Sequence, residues 1–282
     1  MLPILLHPPV PHLSAALLYL GLALHFWRTR WRGAVLDQPV KGLAGWERTW
    51  LFIALVVHGA TLGIEVHPGD ESTRFGFAIA LSLMMWLAMA FYWIESFYAR
   101  MEGLQMLGLP LAAGCVVLPL WMPSQHVLAN AGSMAFRFHL LLAMLAYSLF
   151  TLAALHAVLM AVTEKRLHRG HMTPLFAGLP PLLTMEKLLF RLIHIAFFLL
   201  TLTLASGILF SEQIFGKALP FNHKTVFALL SWLIFAWLLA GRHFRGWRGK
   251  VALRWTLAGF VTLLLAYVGS RFVLEVVLGR PG

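Results

Sequence analysis

The sequence predicts an all-α, polytopic membrane helix bundle of about eight transmembrane helices with both termini outside the cytoplasm. Three observations predict it. Eight separate stretches are long and apolar enough to cross a bilayer. The 282-residue chain is 60% hydrophobic and only 12% charged, with a mean hydropathy of +0.79, which excludes an ordinary globular surface. Its basic residues collect in alternate loops instead of on one face.

The first span is expected near residues 10–27; it lacks a basic stretch before it and a small-residue cleavage site, so it reads as a retained helix and not a signal peptide. The second, near 49–66, carries His58 at its middle, and the third, near 75–94, contains Trp86 and Trp93. The fourth, near 104–122, holds the lone Cys115, so no disulfide can form within the chain. The fifth runs near 136–162, from His139 past His156. A basic loop ending in Pro180 and Pro181 precedes the sixth, near 188–210; Thr184 is the expected N-cap there, with Glu186 in the first turn. The seventh lies near 224–240. The eighth, near 254–278, places Arg271 and Glu275 one turn apart on one face, as a structural ion pair. No repeat or low-complexity segment divides the chain, and residues 1–282 read as a single integral membrane domain.

Charge sets the orientation. Sixteen of the 22 Lys and Arg residues lie between Arg28 and Arg48, at Arg100, between Lys165 and Arg191, and between Arg242 and Arg254. The other six are Arg74, Arg137, Lys217, Lys224, Arg271 and Arg280. The positive-inside rule places the sixteen in the cytoplasm. The net charge of +11 is therefore a topology signal with membrane lipids as partners, and no nucleic acid is expected.

Polar side chains inside a bilayer are costly, so the histidines are the residues to weigh. His58 falls deepest. His139 and His223 begin the fifth and seventh spans at a similar outer depth, where two imidazoles could flank a planar cofactor. His25, His156 and His194 share a depth on the cytoplasmic side, where a second site, a proton path or ordinary snorkelling are all open. His7, His12, His67, His126, His168, His171 and His243 fall in loops or at edges and take no expected role. No P-loop, GxGxxG, HExxH or GxSxG occurs, and no two acidic residues are placed for acid–base work, so no enzyme of a common class is expected. Most tryptophans sit at span ends as an interfacial belt; Trp86, Trp93, Trp232 and Trp237 lie deeper, to line an apolar pocket or to pack helices.

The carboxyl-terminal half carries SG before the last outer loop, KTVFALLSW opening the seventh span, GWRG in the last inside loop and AYVGSR in the eighth. Upstream, His58 followed by LGIEV and the helix FHLLLAMLAYSLFTLAALHAVL complete a pattern over residues 50–278 that resembles the cytochrome c assembly and haem-handling superfamily, CcsA/CcmC/HemX. The resemblance implies a bacterial inner-membrane protein and non-covalent haem b as cofactor. It implies His58 as the membrane histidine and His139 as the outer one, both toward haem iron. FNHKT stands where the family's synthases end a tryptophan-rich outer loop, with Asn222 in place of an aspartate and Lys224 in place of a lysine. The loop's tryptophans are missing, Ala240 stands where a second membrane histidine is expected, and the tail LGRPG offers no outer partner. His223, at the depth of His139, is the candidate substitute. These features favour a non-enzymatic haem-binding or haem-handling protein, with cytochrome c assembly or haem-biosynthesis proteins as partners. The alternatives are a HemX-like membrane regulator that contacts a soluble protein, and a small-solute or proton transporter using His58, His156 and His194.

The charge split makes topology testable. Reporter fusions after Arg48, Arg100, Lys187 and Lys250 should read as cytoplasmic, and those after Gly69, Ser124, Lys217 and Gly282 as external. Fusions at Lys217 and Lys250 reporting the same side would remove the seventh span from the scheme.

Overall fold

The computed structural model describes residues 9–31, 42–67, 73–98, 103–123, 127–128, 131–168, 179–211 and 222–279. Its eight long helices are α1 (Pro9–Phe26, continued by a π-helical turn Trp27–Trp31), α2 (Gly45–Val66), α3 (Phe77–Glu95) and α4 (Leu104–Trp121), followed by α5 (Met134–His168), α6 (Leu182–Leu209), α7 (His223–Arg245) and α8 (Gly249–Leu264). The last continues through π-helical Leu265–Gly269, one α turn Ser270–Phe272 and π-helical Val273–Val277. Each of the eight is long and apolar enough to cross a membrane. Among the described residues the only β contact is an isolated bridge between Arg74 and Val127. The all-α expectation stands, because a helix satisfies its backbone polar groups within one segment where no water can do so.

End-to-end contacts show that successive helices alternate in direction. At the basic end Arg30 pairs with Glu47 across α1 and α2 at 2.5 Å, and Arg48 at the start of α2 donates to the Ser96 carbonyl just past α3. Arg191 near the start of α6 pairs with Glu95 of α3, and Arg242 near the end of α7 pairs with Glu186 of α6 at 2.6 Å. At the opposite end the Phe77 amide heading α3 donates to Glu275 beyond α8 at 2.9 Å. Arg271 and Glu275 approach to 3.8 Å, as their spacing leads one to expect.

The start of α6 differs from expectation. Pro181 is its N-cap residue, and its carbonyl accepts from the Thr184 and Met185 amides, which puts Thr184 inside the helix. Proline supplies no side-chain cap but its fixed φ suits helix entry. Glu186 lies past the first turn, where its carboxylate serves Arg242 instead of the helix dipole. Glu47 does cap: its carboxylate accepts from the Ala44 amide at 2.7 Å, which starts α2 at Gly45.

Helix α5 is the hub. It packs against α3, α6 and α8, and 61% of its spanning window is buried, the largest share among the eight spans. Phe150 of α5 stacks on Phe235 of α7 at 3.9 Å between centroids, and both rings are fully buried. Gly259 of α8 makes room, since a Cβ there would lie 2.8 Å from the Phe235 ring. Ser231 of α7 donates to the Gly259 carbonyl at 3.0 Å beside it. Where α8 widens, hydroxyls support the loosened ladder: Tyr147 donates to the Leu263 carbonyl at 2.8 Å and Ser270 to the Tyr267 carbonyl at 2.9 Å.

Gly259→Ala should therefore destabilise the solubilised protein by about 1–3 kcal/mol, because the ring it meets is itself stacked and cannot retreat. Gly114→Ala, where nothing lies within 4 Å of the added atom, should be neutral or stabilising. Thermal unfolding of the two variants side by side checks this, and equal midpoints would remove the steric argument.

Candidate functional site

The deep histidine sits in a fully paired setting. His58 is 0% exposed, with Tyr19 Oη of α1 at 3.2 Å from Nδ1 and Ser82 Oγ of α3 at 2.9 Å from Nε2. A neutral imidazole carries one proton, so one hydroxyl donates to the ring and the other accepts from it. The next residue, Gly59, lies under the Trp86 ring, whose Nε1 donates to the Leu55 carbonyl at 2.7 Å. This packing fills the space around His58 with protein and leaves neither ring nitrogen open as placed.

His12, given no role from the sequence, belongs to the same seam. It is 2% exposed on α1, with Nδ1 at 2.5 Å from the Val116 carbonyl of α4 and Nε2 at 3.1 Å from Glu65 of α2. Both partners are acceptors, so both nitrogens are engaged as donors when the ring is doubly protonated. His12 and Tyr19 are seven residues apart on α1, and their partners Glu65 and His58 seven apart on α2; Arg30 and Glu47 follow eleven further on. Seven and eleven are close to two and three helical turns, so the pairs form rungs of one antiparallel register. The signal was present in the sequence as two seven-residue polar spacings, but only the helix pairing relates them.

His139 is different. It is half-buried in the second turn of α5, where its Nδ1 lies 2.9 Å from Ser206 Oγ of α6. Ser206 gives its single proton to the Thr203 carbonyl at 2.9 Å and so accepts from Nδ1–H of the imidazole, which also meets the Thr203 carbonyl. That fixes the tautomer with the acceptor lone pair on Nε2, the nitrogen through which a histidine ligates metal while its other nitrogen is held. Gly207 completes the cradle: a Cβ there would lie 3.3 Å from His139 Cε1. These two residues are the SG landmark of the sequence.

The other landmarks are also structural devices. Asn222 caps α7, its Oδ1 accepting from the Thr225 amide at 3.1 Å, a role an aspartate fills equally well. His223 heads α7, exposed and without a hydrogen-bond partner among the described residues; no contact brings it to His139. Lys224 and Arg271 each stand 5.8 Å from the Tyr267 ring centre. GWRG forms the turn into α8, with Gly246 at φ 66° and Gly249 at φ 52°, a region that favours glycine. Trp247 of that turn folds over Gly241, where a Cβ would approach it to 2.2 Å.

The histidines expected on the cytoplasmic side do not converge. His25 pairs with Glu47 at 3.1 Å, buried His156 donates from Nε2 to the Met185 carbonyl at 2.9 Å, and exposed His194 hydrogen-bonds the Phe190 carbonyl one turn back at 2.6 Å. Among the described residues no three His, Cys, Asp or Glu side chains group as metal ligands, and His7, His126 and His171 lie outside the described residues. The deeper tryptophans fasten helices: Trp93 donates to the Arg48 carbonyl at 3.0 Å and Trp232 to Thr201 at 2.9 Å, while Trp237 is 49% exposed.

A haem can be tested against these donors. His139 fits in its donor chemistry, with Nδ1 held by Ser206 and Gly207 close against the ring. His58 as packed does not, unless Ser82 withdraws.

Comparison with known proteins gives the family. The chain is 28% identical to inner membrane protein YpjD of Escherichia coli K12 over 239 residues, 83% of this chain and 89% of the relative. An uncharacterized 28.8 kDa protein of Azospirillum brasilense is 27% identical over 208 residues, 74% of this chain and 76% of the relative. Cytochrome c biogenesis protein CcsA of Gloeobacter violaceus is 30% identical over 92 residues, 33% of this chain and 27% of that protein. No solved structure matches. These relatives lend the HemX-like alternative no support. Eight spans and the likeness to YpjD make this a multi-pass bacterial inner-membrane protein. The description "Cytochrome C assembly protein" matches residues 43–278, which take in the seven spans after α1, and the chain belongs to the cytochrome c assembly protein family.

Proposed function

We propose that this chain binds haem b non-covalently at the outer end of the bundle and holds or passes it on within cytochrome c assembly, without itself forming a covalent bond. The observation that carries the reading is the lock on His139: Ser206 takes Nδ1–H, so Nε2 is the basic nitrogen, presented in a fixed orientation. Family membership supports haem as the ligand, and CcsA is by name a cytochrome c biogenesis protein. Two imidazoles would give a low-spin iron with no open coordination position. His223, exposed at the head of α7, is the conditional second ligand, brought in by movement of that helix start. His58 is a deeper ligand only if Ser82 leaves Nε2; Tyr19 would then keep Nδ1, as an orienting partner does in metal sites. Partner proteins would come from cytochrome c assembly or haem biosynthesis.

Covalent attachment is outside this reading. The run EQIFGKALPFNHKT has no tryptophan, so it lacks the aromatic surface on which a haem could be shown to a cytochrome thiol. In a strain without its cytochrome c synthase, expression of this chain should not restore covalent haem on a cytochrome. Restored haem-stained cytochrome would overturn the non-synthetic assignment.

Absorption spectra of the mildly solubilised protein test the ligands. The wild type should show a Soret band with low-spin α and β bands. His139→Ala should abolish or broaden it, His58→Ala should weaken retention, and His168→Ala should leave it unchanged. Normal spectra for His139→Ala, His58→Ala and the His139/His223 double variant would return these residues to packing roles.

A further inference from the structure

The basic end carries a second site, unrelated to the histidines. A cleft of about 450 Å³ opens between the last turns of α5 and the first turns of α8, lined by Ala161, Glu164, Lys165, Lys250, Leu253, Arg254 and Leu257. That volume lies within the roughly 300–1,000 Å³ usual for small-molecule sites. The lining residues recur three and four apart on each helix, so each helix presents one continuous face to the cleft. Three cations meet a single carboxylate. Like charges lining one cleft repel, and an anion among them relieves that repulsion.

Four arginines elsewhere at this end have carboxylate partners within the protein. Arg30 has Glu47, Arg191 has Glu95, and Arg242 and Arg248 share Glu186. Lys165, Lys250 and Arg254 form no ion pair among the described residues, and all three are exposed. The wall of the cleft is apolar, with Leu253 buried and Ala161 and Leu257 half-buried deeper along the same helices. Val158, Val162, Val251 and Val261 of these helices are exposed at 36%, 41%, 41% and 55%, a surface suited to acyl chains.

We propose that this cleft binds the phosphate of an anionic phospholipid from the cytoplasmic leaflet, with Lys165, Lys250 and Arg254 around the headgroup and the acyl chains against α5 and α8. The shared chemistry is a phosphate, which a soluble phosphate could also provide. The apolar wall favours the lipid, because a free ion gains nothing from Leu253 and Leu257. Basic pockets between spanning helices on the cytoplasmic side are the setting in which anionic headgroups are recognised.

Native mass spectrometry of the full-length chain in detergent tests it, with phosphatidylglycerol and phosphatidylcholine supplied in equal amounts. The wild type should retain phosphatidylglycerol preferentially, and Lys165→Gln/Lys250→Gln/Arg254→Gln together should reduce that preference by about tenfold or more. Ala161→Trp, which fills the cleft and leaves the charges, should also lose it, whereas Lys187→Gln on α6 should not. Equal retention of the two lipids, or an unchanged preference in the triple variant with its helical circular dichroism intact, overturns the proposal. Inorganic phosphate at millimolar concentration displacing the bound lipid completely would assign the site to the soluble ion and overturn the lipid as its source.

Discussion

Everything in this bundle depends on one requirement, that a polar group placed where water is absent must find its partner within the protein. The seam between α1 and α2 meets it in rungs. Glu65 takes His12 near one end, Tyr19 takes His58 in the middle, and Glu47 takes Arg30 and His25 near the other. Each rung fixes the axial register of the two helices, because a slip of one residue rotates every partner by about 100° off the shared face. Tryptophans then tie α2 to α3 through the Leu55 and Arg48 carbonyls. Apolar packing alone specifies helix pairs weakly in a bilayer, where lipid tails are as apolar as leucine, so these polar contacts decide which helices are neighbours.

The second half of the chain answers the same requirement around α5. Its buried faces hold Phe150 against Phe235, with Gly259 admitting the ring, while Tyr147 supplies a donor where α8 departs from regular α geometry. The short sequence landmarks that mark the family prove to be parts of this framework. GWRG makes the turn between α7 and α8, AYVGSR runs from the widened segment of α8 into the α turn after it, and SG is the cradle of His139. Only the last has a bearing on ligand chemistry, and it does so through two small residues, one that accepts a hydrogen bond and one that leaves space.

Donor accounting separates histidines that residue type alone makes equivalent. His12 faces two acceptors, His58 two hydroxyls, and His156 a carbonyl through Nε2. His139 faces a serine whose proton is already committed, which leaves its Nε2 as the basic nitrogen. The same accounting commits one nitrogen of His156 and of His194 to a carbonyl, so what sets His139 apart as the proposed ligand is its place near the end of the bundle beside Ser206 and Gly207.

The sequence by itself determined the number of spans, their approximate limits, the all-α class and the family, because length, hydropathy and short landmark runs are properties of contiguous residues. It also marked Arg271 with Glu275, a pair within one helix. The partners of His12, His58 and His139 were decided only by the tertiary structure, since each comes from a different helix 53, 39 or 67 residues away. Helix order in the bundle settled the remainder. Pro181 displaced Thr184 as the cap of α6 because the chain enters that helix through a proline pair, and Glu186 turned to Arg242 because α7 ends beside it. A hydrophobic pattern says that a segment crosses the membrane; which polar groups meet there is fixed by how the crossings pack.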